Sequence, residues 1–172
     1  VVQFPVELAV ARSSVELPSG SFAFEPKYDG WRLCAHGDRA QDGARLHTRS
    51  GTEVTSRFPE IVEAVTALGD VVLDGELVAA VGIPPRLEFT ALQPGPDRRK
   101  AQGIGVYLLA FDILAADGAD LRSLPYPQRR LVLDEVLDQH GASRCSPYPP
   151  HRTRRRLKSG WITRSVRPVS KG

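Results

Sequence analysis

Methionine is absent from this 172-residue chain, position 1 included. A trimmed start and an unusual initiator at Val1 both fit. Cysteine is scarce: Cys34 and Cys145 are the only two. They are not at metal-ligand spacing and are too few for a disulfide framework. Free thiols in a reducing cytoplasm are the expectation. Long apolar runs are missing as well. The strongest, Val106 to Phe111, falls far short of the about 20 residues a membrane helix needs. The first residues show no basic stretch leading into an apolar core, so no signal peptide is expected. Acidic residues are absent from 151–172, which hold eight Arg or Lys. Residues 1–150 hold all twenty acids against fifteen bases, so the body is net negative and the basic character belongs to a tail. Such a tail can bind phosphate backbones through counterion release, or can be a solvated disordered end.

What remains is an ordinary globular composition, 41% hydrophobic and 25% charged, enough for one domain with a real core. The chain reads as strands broken by turns, with two helices. Phe22 and Phe24 lie on a strand that Pro26 ends. Along the next strand Trp31, Leu33 and Ala35 share one face, and Arg32, Cys34 and His36 the other. Asp42-Gly43 is a hairpin signal leading into Ala44 to Arg49, where Arg45, His47 and Arg49 share a face. Pro59 opens a helix with Ile61, Val65 and Leu68 at helical spacing, and Gly69 ends it. Val71 to Ala80 is an apolar strand interrupted by Asp74-Gly75-Glu76. Val106 to Leu114 is the most buried-looking strand, interrupted by Asp112. Asp117-Gly118 turns the chain. Pro127 to His140 reads as a helix with Leu131, Val132, Glu135 and Val136 on its half-apolar face and Gly141 as its stop. Periodicity is lost after about Ser143. A boundary near residue 150 divides a 1–150 domain from a 151–172 tail read as basic and disordered.

The segment Glu25 to Arg32 (Glu-Pro-Lys-Tyr-Asp-Gly-Trp-Arg) is the most informative. A lysine on a turn between strands can project its amine into a cleft. To act as a nucleophile it must shed a proton, which burial and nearby cations such as Arg32 and Arg49 promote. The same arginines can grip phosphates. Residue by residue, Lys-Tyr-Asp-Gly is also an ordinary polar turn. The carboxylates of Asp74 and Glu76, inside an apolar strand, need pairing or a cation, and Mg²⁺ would suit them. Phe111 could stack on a base, although a core phenylalanine is the commoner outcome.

Lys27-Tyr28-Asp29-Gly30-Trp31-Arg32 resembles the nucleotidyltransferase signature Lys-x-Asp-Gly-x-Arg of ATP-dependent DNA ligases. Thr48-Arg49-Ser50-Gly51 followed by Phe58-Pro59-Glu60-Ile61, Asp74-Gly75-Glu76, and Val106 to Leu114 with Phe111-Asp112 resemble the later blocks. Phe89-Thr90-Ala91-Leu92-Gln93 and Leu124-Pro125-Tyr126 extend the likeness over residues 22 to about 140. The resemblance implies an α+β fold of antiparallel β-sheets flanked by helices, an ATP-grasp-like ligase adenylation domain. It implies that Lys27 takes AMP from ATP as a covalent phosphoramide, with Mg²⁺ as the metal. Glu25 would read the adenine and Phe111 stack on it. Arg32 and Arg49 would contact ribose and phosphate, Glu76 the ribose or metal, and Asp29 would order the site. The implied partner is nicked double-stranded DNA, in repair, recombination or replication.

The chain also departs from the pattern. No Glu-Gly follows Glu76, no Glu follows Glu135, and Trp161 is followed by Ile162, Thr163, Arg164 and Ser165 rather than by a Lys-x-Lys pair. It therefore reads as an incomplete adenylation domain joined to an unrelated tail, expected to seal nicks poorly alone. Two alternatives stay open: a catalytically dead remnant that binds nucleotide or DNA weakly, and an RNA ligase or capping-type nucleotidyltransferase.

Overall fold

The computed structural model describes Val2 and residues 6–9, 23–24, 26–140, 144–146 and 166–167. In chain order its strands are β1 (Ala23–Phe24), β2 (Trp31–Asp38), β3 (Gly43–Thr48), β4 (Val71–Val81), β5 (Arg86–Leu87), β6 (Gly105–Ala116), β7 (Ala119–Asp120), β8 (Cys145–Ser146) and β9 (Val166–Arg167). Its α-helices are α1 (Pro59–Thr66), α2 (Pro96–Ala101) and α3 (Tyr126–Gln139). The three longest strands make the centre: β4 lies antiparallel between β2 and β6. The main sheet runs β3-β2-β4-β6-β7, with β5 folded back on the end of β4 and β8 parallel to β6. A separate pair, β1 with β9, joins the entry segment to Val166–Arg167 of the basic tail. The rest of the tail lies outside the described residues, as do Glu25 and Gly141.

Alternation decides which side chains face the core. Leu33 and Ala35 of β2, Leu73 and Leu77 of β4, and Val106 and Leu108 of β6 pack with Phe58, Ile61 and Val65 around α1 and with Leu133 and Leu137 of α3. Burying each such large apolar side chain contributes about 1.5–3 kcal/mol. On the opposite face Cys34, Val72, Leu114 and Ala115 meet Val2, Val6 and Leu8 of the N-terminal segment. That segment covers one part of the second face, and polar side chains occupy the part beside it.

Most boundaries match the sequence expectation, and three details differ. The β2–β3 connection is a four-residue loop rather than a tight Asp-Gly turn. A 3₁₀ turn over Arg39–Gln41, capped by Asp38, ends at Asp42, which takes the left-handed conformation at φ 46° while Gly43 already begins β3. Asp117-Gly118 does form the tight turn, both residues at positive φ. Helix α2 is additional to the two helices expected. In α3 Tyr126, Leu133 and Leu137 are buried; of the expected face Val132 and Val136 pack partly against the core, whereas Leu131 is 70% exposed. Among the described residues no helix is long and apolar enough to cross a membrane.

Candidate active site

The register of the three central strands lines up side chains in rows on the face turned away from α1. One row runs from Arg32 on β2 to Glu76 on β4 and Leu109 on β6. The next runs from His47 on β3 through Cys34 and Asp74 to Asp112. Arg49 extends the first row outward: its backbone N–H donates to the Arg32 carbonyl at 3.1 Å. Residues far apart in sequence thus come together: Arg32, Arg49, Glu76 and Phe111 flank one patch of sheet.

Lys27 and Asp29 are exposed on the segment 26–30 that enters β2. Gly30 fixes where that segment lies. A methyl group there would sit 2.2 Å from the Leu77 carbonyl oxygen and 2.9 Å from Cγ of Glu76. Only glycine lets the backbone press this closely against β4. The lysine-bearing segment is therefore laid directly beside Glu76. Glu25 lies outside the described residues.

Arg32 is held firmly. Its Nε and Nη2 donate to both oxygens of Asp74, a bidentate pair of the stronger kind. Its guanidinium carbon lies 4.4 Å from the centroid of the Phe111 ring, a cation–π contact. The cation that buried Asp74 requires is thus supplied by Arg32, where the sequence suggested Mg²⁺ for both acids of the strand. Glu76, two residues further along the strand, is half-buried. Among the described residues no three or more His, Cys, Asp or Glu are grouped to hold a metal ion.

Cys34 lies in the row behind Arg32. Burial, reinforced by the Asp74 charge and opposed by Arg32, pushes its thiol up to about 12. It is therefore a protonated, inert thiol at neutral pH. Burial pushes the Cys145 thiol up to about 12 as well, and neither cysteine is in a disulfide.

Three further residues bear on the site to which the sequence gives no role. Asp112 was legible as an acid in an apolar strand. Arg129 of α3 meets it with Nε and Nη2 at 2.8 and 2.7 Å. Tyr126 donates its hydroxyl to the Phe111 carbonyl at 3.3 Å. The available signal is Leu124-Pro125-Tyr126, part of the family likeness.

The chain has counterparts among known proteins. Residues 7–154 match the family model of the ATP dependent DNA ligase domain. A probable DNA ligase of Beutenbergia cavernae is 40% identical over 148 residues, covering 82% of this chain and 28% of the relative. DNA ligase B of Mycobacterium tuberculosis is 39% identical over 133 residues, covering 72% of this chain and 25% of the relative. The chain thus spans about a quarter of the length of these relatives. Among solved structures, a mycobacterial DNA ligase D complexed with ATP and MES superposes with a TM-score of 0.63 at 31% identity, over 81% of this chain and 43% of that one. The ligase domain of M. tuberculosis LigD gives 0.59 at 32% identity, over 73% and 38%. These likenesses favour the DNA ligase reading over the RNA ligase or capping-type alternative. They also agree with the α+β nucleotidyltransferase architecture, a curled antiparallel sheet flanked by helices. With its signature motifs in order along the chain, it belongs to the ATP-dependent DNA ligase family, in the adenylation domain.

Proposed function

We propose that this chain carries the self-adenylation step of an ATP-dependent DNA ligase, with Lys27 as the nucleophile. The supporting observation is the meeting of Arg32, Glu76 and Phe111 on one sheet face, beside the segment that bears Lys27. The adenylation domain is taken to end near residue 150, with 151–172 as a basic tail.

The neutral Lys27 amine attacks the α-phosphorus of ATP. A nitrogen–phosphorus bond forms, the bond to the bridging oxygen breaks, pyrophosphate leaves, and the amine loses a proton to solvent. Phe111 offers a face for adenine to stack on, and Glu25 hydrogen-bonds the base. Arg49 contacts ribose and phosphate. Arg32 contributes positive charge from its fixed position on Asp74, and Asp29 orders the entry segment. Glu76 would hold Mg²⁺ or the ribose; when bound, the metal neutralises charge on the phosphates. The AMP then passes to the 5′-phosphate of nicked double-stranded DNA, and the neighbouring 3′-hydroxyl displaces it to close the nick. Such a step serves DNA repair, recombination or replication.

Radiolabelled ATP tests the reading. Label in the α-phosphate should become protein-bound and label in the γ-phosphate should not. Added pyrophosphate should discharge the bound label as ATP. Retention of γ-label, or no retention of α-label, would contradict it.

A further inference from the structure

Phe111 belongs to a bulge in β6. Asp112 pairs with Asp74 and Ala110 with Gly75, so Phe111 is the residue by which β6 exceeds β4 at this point. Bulges bend a strand and re-aim a side chain, and here the ring comes to lie over Arg32. The bulge is braced from outside the sheet by the first turns of α3. Tyr126 and Arg130 both donate to the Phe111 carbonyl, at 3.3 and 3.4 Å. Arg129 grips both oxygens of Asp112, and its Nη1 donates to the Leu124 carbonyl at 2.5 Å. Asp112 in turn accepts from the Ile113 amide at 2.9 Å.

Charge gives the brace a second task. Asp74 and Asp112 face each other across the ladder, and like charges directly opposite are unfavourable. Each acid has its own arginine, Arg32 on Asp74 and Arg129 on Asp112. The hydrogen bond to Asp112 raises the Arg129 pKa, and the Asp74 charge raises it further. Without Arg129, Asp112 would press on Asp74 and loosen the floor on which the Phe111 ring rests.

We propose that Arg129 is a positioning residue for nucleobase recognition, setting the plane and depth of the Phe111 ring through Asp112 and the bulge. This rests on the reading that Phe111 stacks on the base. Stacking is sensitive to offset and tilt and contributes about tenfold to a hundredfold in affinity. A misplaced ring therefore weakens base binding and leaves phosphate binding alone.

The test compares the affinities of the full chain for ATP and for ribose 5-triphosphate, which is ATP without its base, both with Mg²⁺. Phe111→Leu is the reference and should weaken ATP alone. Arg129→Met should weaken ATP about tenfold and leave ribose 5-triphosphate within about twofold. Arg129→Lys, which keeps the charge and loses the fork, should fall between. Tyr126→Phe removes one hydroxyl and should weaken ATP about two- to threefold; it decides the matter if circular dichroism finds Arg129→Met unfolded. Equal losses on both ligands would reduce Arg129 to a structural role and overturn the proposal. So would unchanged ATP binding in the Arg129 variants when Phe111→Leu shows its loss. If Phe111→Leu itself leaves the two affinities in their original ratio, the stacking reading falls first, and the inference with it.

Discussion

Asp74 is 2% exposed in the middle of β4, and the fold keeps its charge because Arg32 reaches it from the neighbouring strand with two donors. Removing one partner of such a pair strands the other, at a cost of about 3–5 kcal/mol. Asp74→Asn is expected to lose stability of that order, read as a shift in the urea midpoint, and to free Arg32 from its place under Phe111. The sequence showed that Asp74 needed a cation but not which one, because strand register is a long-range property. The two thiols give a pH dependence. Burial lifts both from the ordinary range to about 12. Their folded pKa lies above the unfolded value of about 8.5–9, so the protonated thiols support the fold in full below that value. The support fades as pH rises from about 9 through 12. Urea midpoints should fall between pH 8 and pH 10.5, and a variant with both cysteines replaced by alanine should fall less over that interval. An equal fall would mean that other groups set the slope.

At the scale of elements, alternation in β2 was readable because one face is apolar throughout. The bulges in β6 were not, since a bulge appears in the residue string only as continued strand. Helix α3 was readable as a helix, but its face only in part. Leu131, Val132 and Val136 make an apolar group at helical spacing, yet Leu133 and Leu137 are the fully buried pair, Val132 and Val136 pack only partly against the core and Leu131 is exposed, because α3 is anchored by Tyr126 and Arg129 at its start. Leu133→Ala should therefore cost about 2–5 kcal/mol. Leu131→Ala should stay within about 0.5 kcal/mol. Matched urea titrations of the two variants check the assignment, and a reversed order would contradict it. Helix α2 is not legible as an amphipathic helix because Pro96–Ala101 is polar and charged. Its Arg99 is nonetheless 1% exposed. It donates to the carbonyls of Pro94 and Arg57 and to Glu60, and lies 4.6 Å from the Phe58 ring centroid. Phe58 in turn meets Trp31 edge-on at 5.7 Å. The arginine thus ties α2 to the start of α1 and to the aromatic pair behind the lysine motif. Arg99→Lys lacks the planar fork and should destabilise the fold by about 3 kcal/mol or more. A midpoint equal to that of the unaltered chain would show the clamp to be dispensable.

For the whole molecule, the sheet separates two tasks by face. One face is filled by α1, α3 and the large apolar residues. The other carries the arginines, the paired acids and the aromatic ring, with the N-terminal segment covering its remaining part. Motif order made the family legible from sequence, since four blocks in order are hard to meet by chance. Their convergence depended on strand pairing across more than forty residues, as between Arg32 and Glu76, which local pattern does not encode. The central claim is that Lys27 becomes adenylated. Its most direct test is mass spectrometry of proteolytic peptides after incubation with ATP and Mg²⁺. The expected result is one adenylyl group on the peptide containing Lys27, and none on Lys27→Ala protein that remains folded. An adduct carried instead by Lys100, Lys158 or Lys171, or an adduct that persists in the Lys27→Ala protein, would contradict the claim.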